Sequence, residues 1–262
     1  MTTVTTDRPP AAAPAGSRGG PVLLSPRYVA IDLRRQLRNR RTLIFLVVMP
    51  VAFFLAFGGG YRTSDPASYA YVMASMAVYG AMIATTSVGA STSMERSSGW
   101  TRQLRLTPLR PGGYVLGKVV VAVLLGIVPV TLVLLTGAIG GADLNLAQWA
   151  GVAFAAWSCS LVFAAFGLFM GYLIPAENVM QFIGPLLALL SFFGGLFAPL
   201  DTLPQALQNI APAMPTYAVG MIARSPITHT GFTATHVVLL VGWTVAFGIG
   251  TALLFRRDTT RG

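Results

Sequence analysis

The sequence predicts an all-α integral membrane protein with six transmembrane helices, and three observations support this fold class. Only 10% of the 262 residues are charged and 54% are hydrophobic, whereas soluble domains carry roughly a quarter charged residues. Six apolar segments approach the length of about 20 residues that a helix needs to cross a bilayer. They are continuously apolar, which favours helices over the short, alternating strands of a membrane barrel. The composition therefore excludes a soluble enzyme, a disordered protein and a collagen-like fibre.

The predicted transmembrane domain extends over 43–257, and its six spans contain no Asp, Glu, Lys or Arg. Ionisable residues inside a membrane mark proton and ion paths, so their absence indicates that a partner supplies the energy for any uphill transport. The single cysteine, Cys159, excludes an intramolecular disulfide. A merged or split segment would change the number of spans to five or seven. The predicted spans cover 43–60, 71–93, 119–140, 149–174, 179–199 and 235–255.

Basic residues are distributed unevenly between the two sides of this arrangement. Sixteen of the 18 Lys and Arg residues fall on one side, and only Arg62 and Arg224 fall on the other. This asymmetry predicts that both termini are cytoplasmic. The positive charge is spread along several membrane edges, which argues against nucleic-acid binding. We expect 1–24, which lacks the apolar core of a signal peptide, and 258–262 to be cytoplasmic tails, the first of them disordered.

Residues 25–42 are predicted to form an amphipathic interfacial helix that leads into the first span. Val29, Leu33 and Leu37 fall within one arc of an α-helix, and Asp32 and several arginines occupy most of the opposite side. A basic amphipathic helix of this kind lies along the membrane surface. Alternatively, these arginines serve only as a topology anchor beside anionic lipid.

The loop between the second and third spans, 94–118, is the most informative segment. Its first residues close the second span at the water boundary. Trp100 and Leu104 are four residues apart, so a short helix would present both on one face with Gln103 beside them, and Pro108 would end it. Such a helix could enter a groove of a soluble partner. The alternative is a loop whose arginines only set the topology.

The end of the same loop is similar to a phosphate-binding loop but lacks one essential residue. Gly112 to Lys118 fits G-x-x-x-x-G-K, yet Val119 stands where Ser or Thr would hold magnesium. The segment also leads into a membrane span rather than a soluble nucleotide-binding domain. We therefore expect no nucleotide site, no bound cofactor and no enzymatic activity in this chain.

The fifth loop, 200–234, is long, half apolar and interrupted by Pro204, Pro212 and Pro215. It is predicted either to re-enter the bundle as one or two short helices or to form a surface loop.

Small residues within the spans, among them Thr86, Gly167 and Gly171, predict close helix packing. The alternative role for them is contact with a substrate.

Two motifs in this sequence resemble those of the membrane subunit of type-2 ATP-binding-cassette (ABC) exporters, particularly the actinobacterial drug- and antibiotic-resistance branch. The resemblance extends over about 26–257, with Trp100 as a departure where the family often has a small residue or Thr. The first motif comprises Glu95, Arg96, Gly99, Leu104, Thr107, Pro108 and Leu109. The second comprises Leu203, Pro204, Leu207, Gln208, Ile210, Ala211, Pro215, Thr216 and Tyr217.

The resemblance implies three functional segments. A second cytoplasmic contact is implied at Glu177 and Asn178. Outer re-entrant helices are implied at about 203–223, with Leu203, Pro204, Leu207, Pro215 and Tyr217. A coupling helix around 95–107, seated in a cleft of a separate cytoplasmic ATPase, would be formed by Glu95, Arg96, Gly99, Trp100, Gln103, Leu104, Leu106, Thr107 and Pro108.

The resemblance also implies a working unit of two permeases and two ATPase subunits in the lipid of a bacterial plasma membrane. The permeases would be identical or related copies, and the ATPase subunits would bind ATP and magnesium. The cargo would be hydrophobic or amphipathic: a drug, an antibiotic or a lipid-like molecule. A non-transporting membrane scaffold or immunity protein is the alternative. A lipid-modifying enzyme is disfavoured, because the eight carboxylates and two histidines are scattered along the chain.

Overall fold

The computed structural model describes residues 25–100, 103, 111–228 and 231–260, with the backbone alone for 41, 111 and 258–260. Within these residues the chain forms helices and short turns and contains no strand, which confirms the predicted all-α class. The helices are α1 (Pro26–Arg38), α2 (Arg40–Gly58), α3 (Pro66–Ser97), α4 (Pro111–Ile139), α5 (Leu146–Cys159), α6 (Leu161–Leu173), α7 (Ala176–Phe193), α8 (Gln205–Ile210), α9 (Pro215–Thr228) and α10 (Ala234–Thr260).

Six helical segments in the described part of the chain are long and apolar enough to cross a membrane, as the sequence predicts. One of them consists of α5 and α6, which meet at Ser160, where the hydroxyl donates to the Trp157 carbonyl at 2.5 Å. The protein is therefore a multi-pass membrane protein. The segments are Thr42–Tyr61, Pro66–Ser97, Gly112–Ile139, Leu146–Leu173, Ala176–Phe193 and Ala234–Arg257.

Local sequence signals fix where several helices begin. The Asp65 carboxylate accepts from the backbone N–H groups of Ala67 and Ser68 at 3.1 and 3.2 Å, and Pro66 occupies the first helical position of α3. Asn145 and Gln148 cap α5 reciprocally, each side chain accepting from the other residue's N–H at 2.9 Å. These caps satisfy backbone donors that have no partner inside a helix. They lie at the end of the bundle opposite α1, which we call the far end.

Helix α3 is the centre of the bundle. Of its 32 residues, 22 are buried, and it packs against α2, α4, α6, α7 and α9. In contrast, only 6% of the apolar stretch of α10 is buried. Apolar side chains of α2, α7 and α10 therefore face outward, as expected of surfaces that contact lipid or other membrane proteins.

Small residues bring the backbones of α3 and α6 into contact. A Cβ atom added to Gly167 would lie 2.4 Å from the Thr86 carbonyl oxygen, and one added to Gly89 would lie 2.4 Å from the Leu168 nitrogen. A Cβ on Gly171 would lie 2.7 Å from the Gly89 oxygen. This geometry confirms the close packing predicted for Gly167 and Gly171, because only glycine permits backbones to approach so closely.

Candidate functional site

A cluster of buried charges joins α1, α3 and α4 at the end of the bundle that carries α1. Lys118 is fully buried, and Asp32 and Glu95 are 4% and 5% exposed. The Lys118 Nζ lies 2.9 Å from Asp32 Oδ2 and 2.5 Å from Glu95 Oε1. Each helix thus contributes one fully or nearly fully buried charge. We call Asp32, Arg35, Glu95, Tyr114 and Lys118 the inner network.

The remaining contacts of the inner network complete its charge balance. The Tyr114 hydroxyl donates to Glu95 Oε2 at 2.6 Å. Arg35 donates to Glu95 Oε1 and lies 2.7 Å from Asp32 Oδ1. Two carboxylates therefore face two cations, which is the condition for burying charge without a large penalty. Because the Arg35 side chain is 46% exposed, the inner network reaches the protein surface at that residue.

A contact between Tyr28 and Gly117 allows α1 to pack closely against α4. The Tyr28 ring lies against Gly117 so closely that an added Cβ would be 2.6 Å from Tyr28 Cε1. The ring centroids of Tyr28 and Tyr114 are 6.1 Å apart. Burial, assisted by the negative charge of Asp32, raises the pKa of Tyr28, so its hydroxyl stays neutral. Gly117 is thus the position at which α4 accommodates α1.

The inner network buries three charges for which the sequence indicates no burial. The sequence predicts Asp32 on the polar side of the interfacial helix, Glu95 at the water boundary, and Lys118 among the topology-setting basic residues. All three are buried, because each charge has partners from other helices, and this compensation is a tertiary property. A signal was present in the sequence: Asp32 follows Tyr28 by four residues, which places both on one helix face.

The predicted interfacial residues are divided between two environments. Val29 and Leu33 pack against the apolar core of the protein, whereas Leu37 is 41% exposed. The face of α1 that the sequence directs toward the membrane is therefore partly occupied by contacts within the protein.

The loop that follows α3 begins at the inner network. Gly99 adopts a left-handed conformation, with φ of 75°, and its N–H donates to the Arg96 carbonyl at 3.1 Å, which ends α3. Trp100 and Gln103 are helical, and the Gln103 N–H donates to the Gly99 carbonyl at 3.3 Å. Trp100 is 37% exposed. The other predicted coupling residues of this loop lie outside the described residues: Leu104, Leu106, Thr107 and Pro108.

The same end of α3 also holds the end of α6. Arg96 donates to the carbonyls of Gly171 and Tyr172 at 3.3 and 3.2 Å, and its guanidinium lies 4.9 Å from the centroid of the Tyr172 ring. The Ser93 hydroxyl donates to the Ile174 carbonyl at 2.7 Å. These bonds satisfy carbonyls that the last turn of a helix leaves free.

The predicted second contact follows directly from this junction. Glu177 and Asn178 are exposed in the first turn of α7, immediately after the capped end of α6. The loop after α3 and the turn between α6 and α7 therefore lie at one end of the bundle and share α3 as their support.

The segment with the phosphate-loop pattern is helical. Residues Gly112 to Lys118 form the first two turns of α4, and the Lys118 ammonium is engaged by two carboxylates. A phosphate-binding loop instead presents free backbone N–H groups and a lysine that reaches the phosphates. In the described residues, no group of three or more His, Cys, Asp and Glu could hold a metal ion.

A second buried charge, Arg224 of α9, lies at the far end. It is 3% exposed, and its Nη1 donates to the Gly195 carbonyl at 2.9 Å and to Ser75 Oγ at 3.1 Å. The guanidinium lies 4.4 Å from the centroid of the Tyr71 ring. We call these four residues the Arg224 clasp, because they hold α9, α3 and the turn after α7 together.

The Arg224 clasp differs from the inner network in its partners. Within the described part of the chain, Arg224 forms no ion pair with a carboxylate. Burial lowers the pKa of the Arg224 guanidinium, and the carbonyl, the hydroxyl and the aromatic ring provide the compensating interactions. The sequence predicts Arg224 within the outer loop 200–234, which either re-enters the bundle or lies at the surface, and it indicates no partner for the charge.

The residues of the second motif are distributed between the surface and the bundle. Pro204 and Pro215 stand at the starts of α8 and α9, where proline is favoured. Leu203 and Leu207 are half-buried, Pro215 is buried and Tyr217 is half-buried. The adjacent Thr216 hydroxyl donates to the Leu190 carbonyl at 2.6 Å. The start of α9 is therefore fixed to the end of α7, whereas α8 lies at the surface.

Comparisons with known proteins relate this arrangement to a family. A family model described as "ABC-2 type transporter" matches residues 28–227, a range that includes the inner network and the Arg224 clasp. The "Putative transport permease YvfS" of Bacillus subtilis (strain 168) is 27% identical over 235 residues, which cover 87% of this chain and 95% of that protein.

Proposed function

This chain belongs to the ABC-2 type transporter family, and from that premise we propose that it is the permease of an ABC exporter, driven by ATP hydrolysis on a separate cytoplasmic subunit. The proposed unit contains two permeases and two ATPase subunits in the bacterial plasma membrane. ATP and magnesium are bound by the ATPase subunits, and this chain carries no catalytic site. The proposed cargo is hydrophobic or amphipathic, such as a drug, an antibiotic or a lipid-like molecule.

The inner network is the observation that carries the coupling part of this proposal. A motor outside the membrane must move the spans through a contact that transmits force. The loop after α3 starts at Gly99, within one helical turn of Glu95. Glu95 contacts Lys118 of α4 and Arg35 of α1, and Arg96 holds the end of α6. A displacement of this loop therefore acts on four helices at once.

The distribution of basic residues supports the proposed orientation. Helix α1 and the loop after α3 belong to the side with 16 of the 18 Lys and Arg residues, and such residues accumulate on the cytoplasmic side of membrane proteins. The exposed Trp100, Glu177 and Asn178 then face the compartment that contains ATP. The Arg224 clasp lies on the outer side, where the cargo would leave.

ATP hydrolysis by the reconstituted complex tests the coupling contact. We expect Trp100→Glu to reduce substrate-stimulated hydrolysis by the cognate ATPase about tenfold or more, because the substitution places a charge in the proposed contact, and tryptophan is enriched among the few interface residues that contribute about 2 kcal/mol or more. Phe232→Glu is the matched control, since Phe232 is also an exposed aromatic residue, 51% exposed, but lies at the far end.

A transport measurement on the same complex, reconstituted in lipid vesicles, distinguishes an exporter from a non-transporting scaffold. The proposal requires cargo accumulation that depends on ATP and falls with hydrolysis in Trp100→Glu but not in Phe232→Glu. Equal hydrolysis in both variants would refute the coupling contact. If the wild-type complex binds its partner but moves no cargo with ATP, the chain is a scaffold.

A further inference from the structure

The outward side of α1 carries positive charges that the inner network does not use. Arg34 and Arg38 are exposed, and within the described residues neither forms an ion pair with a carboxylate. They are separated by one helical turn, a spacing at which like charges repel. The arrangement therefore places an uncompensated pair of guanidinium groups on one face.

These two arginines are part of a groove on α1. Ile31, Arg34, Arg35, Arg38 and Asn39 line it, and its volume is about 590 Å³. Ile31 is 65% exposed and gives the groove an apolar wall beside the charged groups. Arg34 and Arg38 provide two guanidiniums that no described carboxylate pairs, and a guanidinium can donate two parallel hydrogen bonds to the oxygens of a phosphate. Arg35 lies beside them but is engaged by Asp32 and Glu95.

The position of the groove indicates the source of the phosphate. Asn39 caps α2, and the apolar stretch of α2 starts only three residues later, at Thr42, a rise of about 4.5 Å along a helix. Ile44 and Phe45, in the first turns of that stretch, are 61% and 54% exposed. A groove with an apolar wall next to an outward-facing apolar surface is suited to a molecule with a phosphate and acyl chains. A soluble acidic protein offers no partner for that apolar surface.

We propose that this groove binds the headgroup of an anionic phospholipid from the adjacent leaflet, with Arg34 and Arg38 as the principal phosphate ligands. Membrane-boundary clusters of basic residues bind anionic headgroups by the same combination of charge and location. Arg35 lines the groove and also donates to Glu95. A bound phosphate therefore contacts the exposed edge of the inner network, so the lipid composition of the leaflet acts directly on the cluster that supports the loop after α3.

Lipid binding to the purified full-length protein tests this inference without reference to transport. Native mass spectrometry is used to titrate the protein in detergent with phosphatidylglycerol or phosphatidylcholine. We expect about tenfold tighter binding of phosphatidylglycerol, and loss of most of this preference in Arg34→Gln/Arg38→Gln. Arg27→Gln/Arg257→Gln removes two charges from the same end of the bundle outside the groove, and it is expected to keep the preference.

Further variants and a competition measurement identify the ligand. Arg34→Lys/Arg38→Lys keeps the charge but loses the paired donors, so we expect an intermediate preference. Equal loss of preference in both Gln pairs would overturn the groove assignment in favour of general charge attraction. Displacement of phosphatidylglycerol by millimolar inorganic phosphate would overturn the lipid assignment. An Arg34→Gln/Arg38→Gln protein that keeps its lipid preference but loses ATPase binding would show that the groove serves a protein partner, and would also overturn it.

Discussion

Replacing Lys118 with methionine is expected to lower the free energy of unfolding by about 3–5 kcal/mol, the range found when one partner of a buried ion pair is removed. Methionine fills a similar volume but leaves Asp32 and Glu95, which are 4% and 5% exposed, as buried carboxylates with Arg35 as the cation that both still contact. The effect is measured by reversible denaturation of the purified protein in mixed detergent micelles. Arg27→Met, an exposed basic position on α1, is the control and should change stability by less than about 0.5 kcal/mol.

A combined variant distinguishes charge pairing from packing. Asp32→Leu/Glu95→Met/Lys118→Met replaces the three buried charges of the inner network with apolar side chains of similar volume, and Arg35, whose side chain is 46% exposed, can be hydrated. Replacing a whole buried charge cluster is often nearly neutral, so we expect this variant to recover most of the stability that Lys118→Met loses. If Lys118→Met is as stable as Arg27→Met, the inner network does not hold these helices together.

Replacing Arg224 with methionine is expected to release α9 from the bundle locally. The variant loses two hydrogen bonds from a charged donor and the contact with Tyr71, and a hydrogen bond to a charged group contributes about 1.5–3 kcal/mol. Hydrogen exchange should therefore accelerate about a hundredfold or more in α9 and in the turn after α7. Exchange in α4, on which the clasp does not act, should be unchanged.

A second far-end arginine provides the matched control for this prediction. Arg62 Nε also donates to a carbonyl, that of Gly140 at 2.7 Å, but Arg62 is exposed. Water can replace the bond of an exposed residue, so Arg62→Met should accelerate exchange much less. Uniform acceleration across the whole bundle in Arg224→Met would indicate a global loss of stability, and the clasp would then not be a local attachment of α9.

The six transmembrane segments could be predicted from the sequence because membrane insertion depends on the summed hydrophobicity of each segment, which is a local property. The starts of α3 and α5 are local as well, since Asp65 and Asn145 cap the helices that immediately follow them. The close packing at Gly167 could also be predicted, because a glycine pair one turn apart marks such contacts in membranes.

The buried charges could not be predicted in the same way. Whether Lys118 is buried depends on Asp32 and Glu95, which are 86 and 23 positions away along the chain, and on the approach of Tyr28 to Gly117. The count of basic residues on each side of the membrane, which places Lys118 in a loop, treats each charge separately. A buried ion pair here joins residues of different helices, so a count of single charges cannot predict it.

Arg224 illustrates a different limit of sequence interpretation. Its described partners are a carbonyl, a hydroxyl and an aromatic ring, and none of these partners carries an opposite charge that could indicate where the guanidinium is buried. The carbonyl belongs to Gly195, which has a left-handed φ of 71°. Only the folded turn after α7 directs that oxygen toward α9.

Photocrosslinking in cells shows directly whether a cytoplasmic ATPase binds the loop after α3. A photoreactive amino acid replaces Trp100, or Phe232 at the far end as the control, in cells that also produce the cognate ATPase. We expect a covalent adduct with the ATPase from position 100 and none from position 232. An adduct from position 232 alone, or labelling of Trp100→Cys by a membrane-impermeant thiol reagent added outside intact cells, would show that the ATPase does not bind this loop.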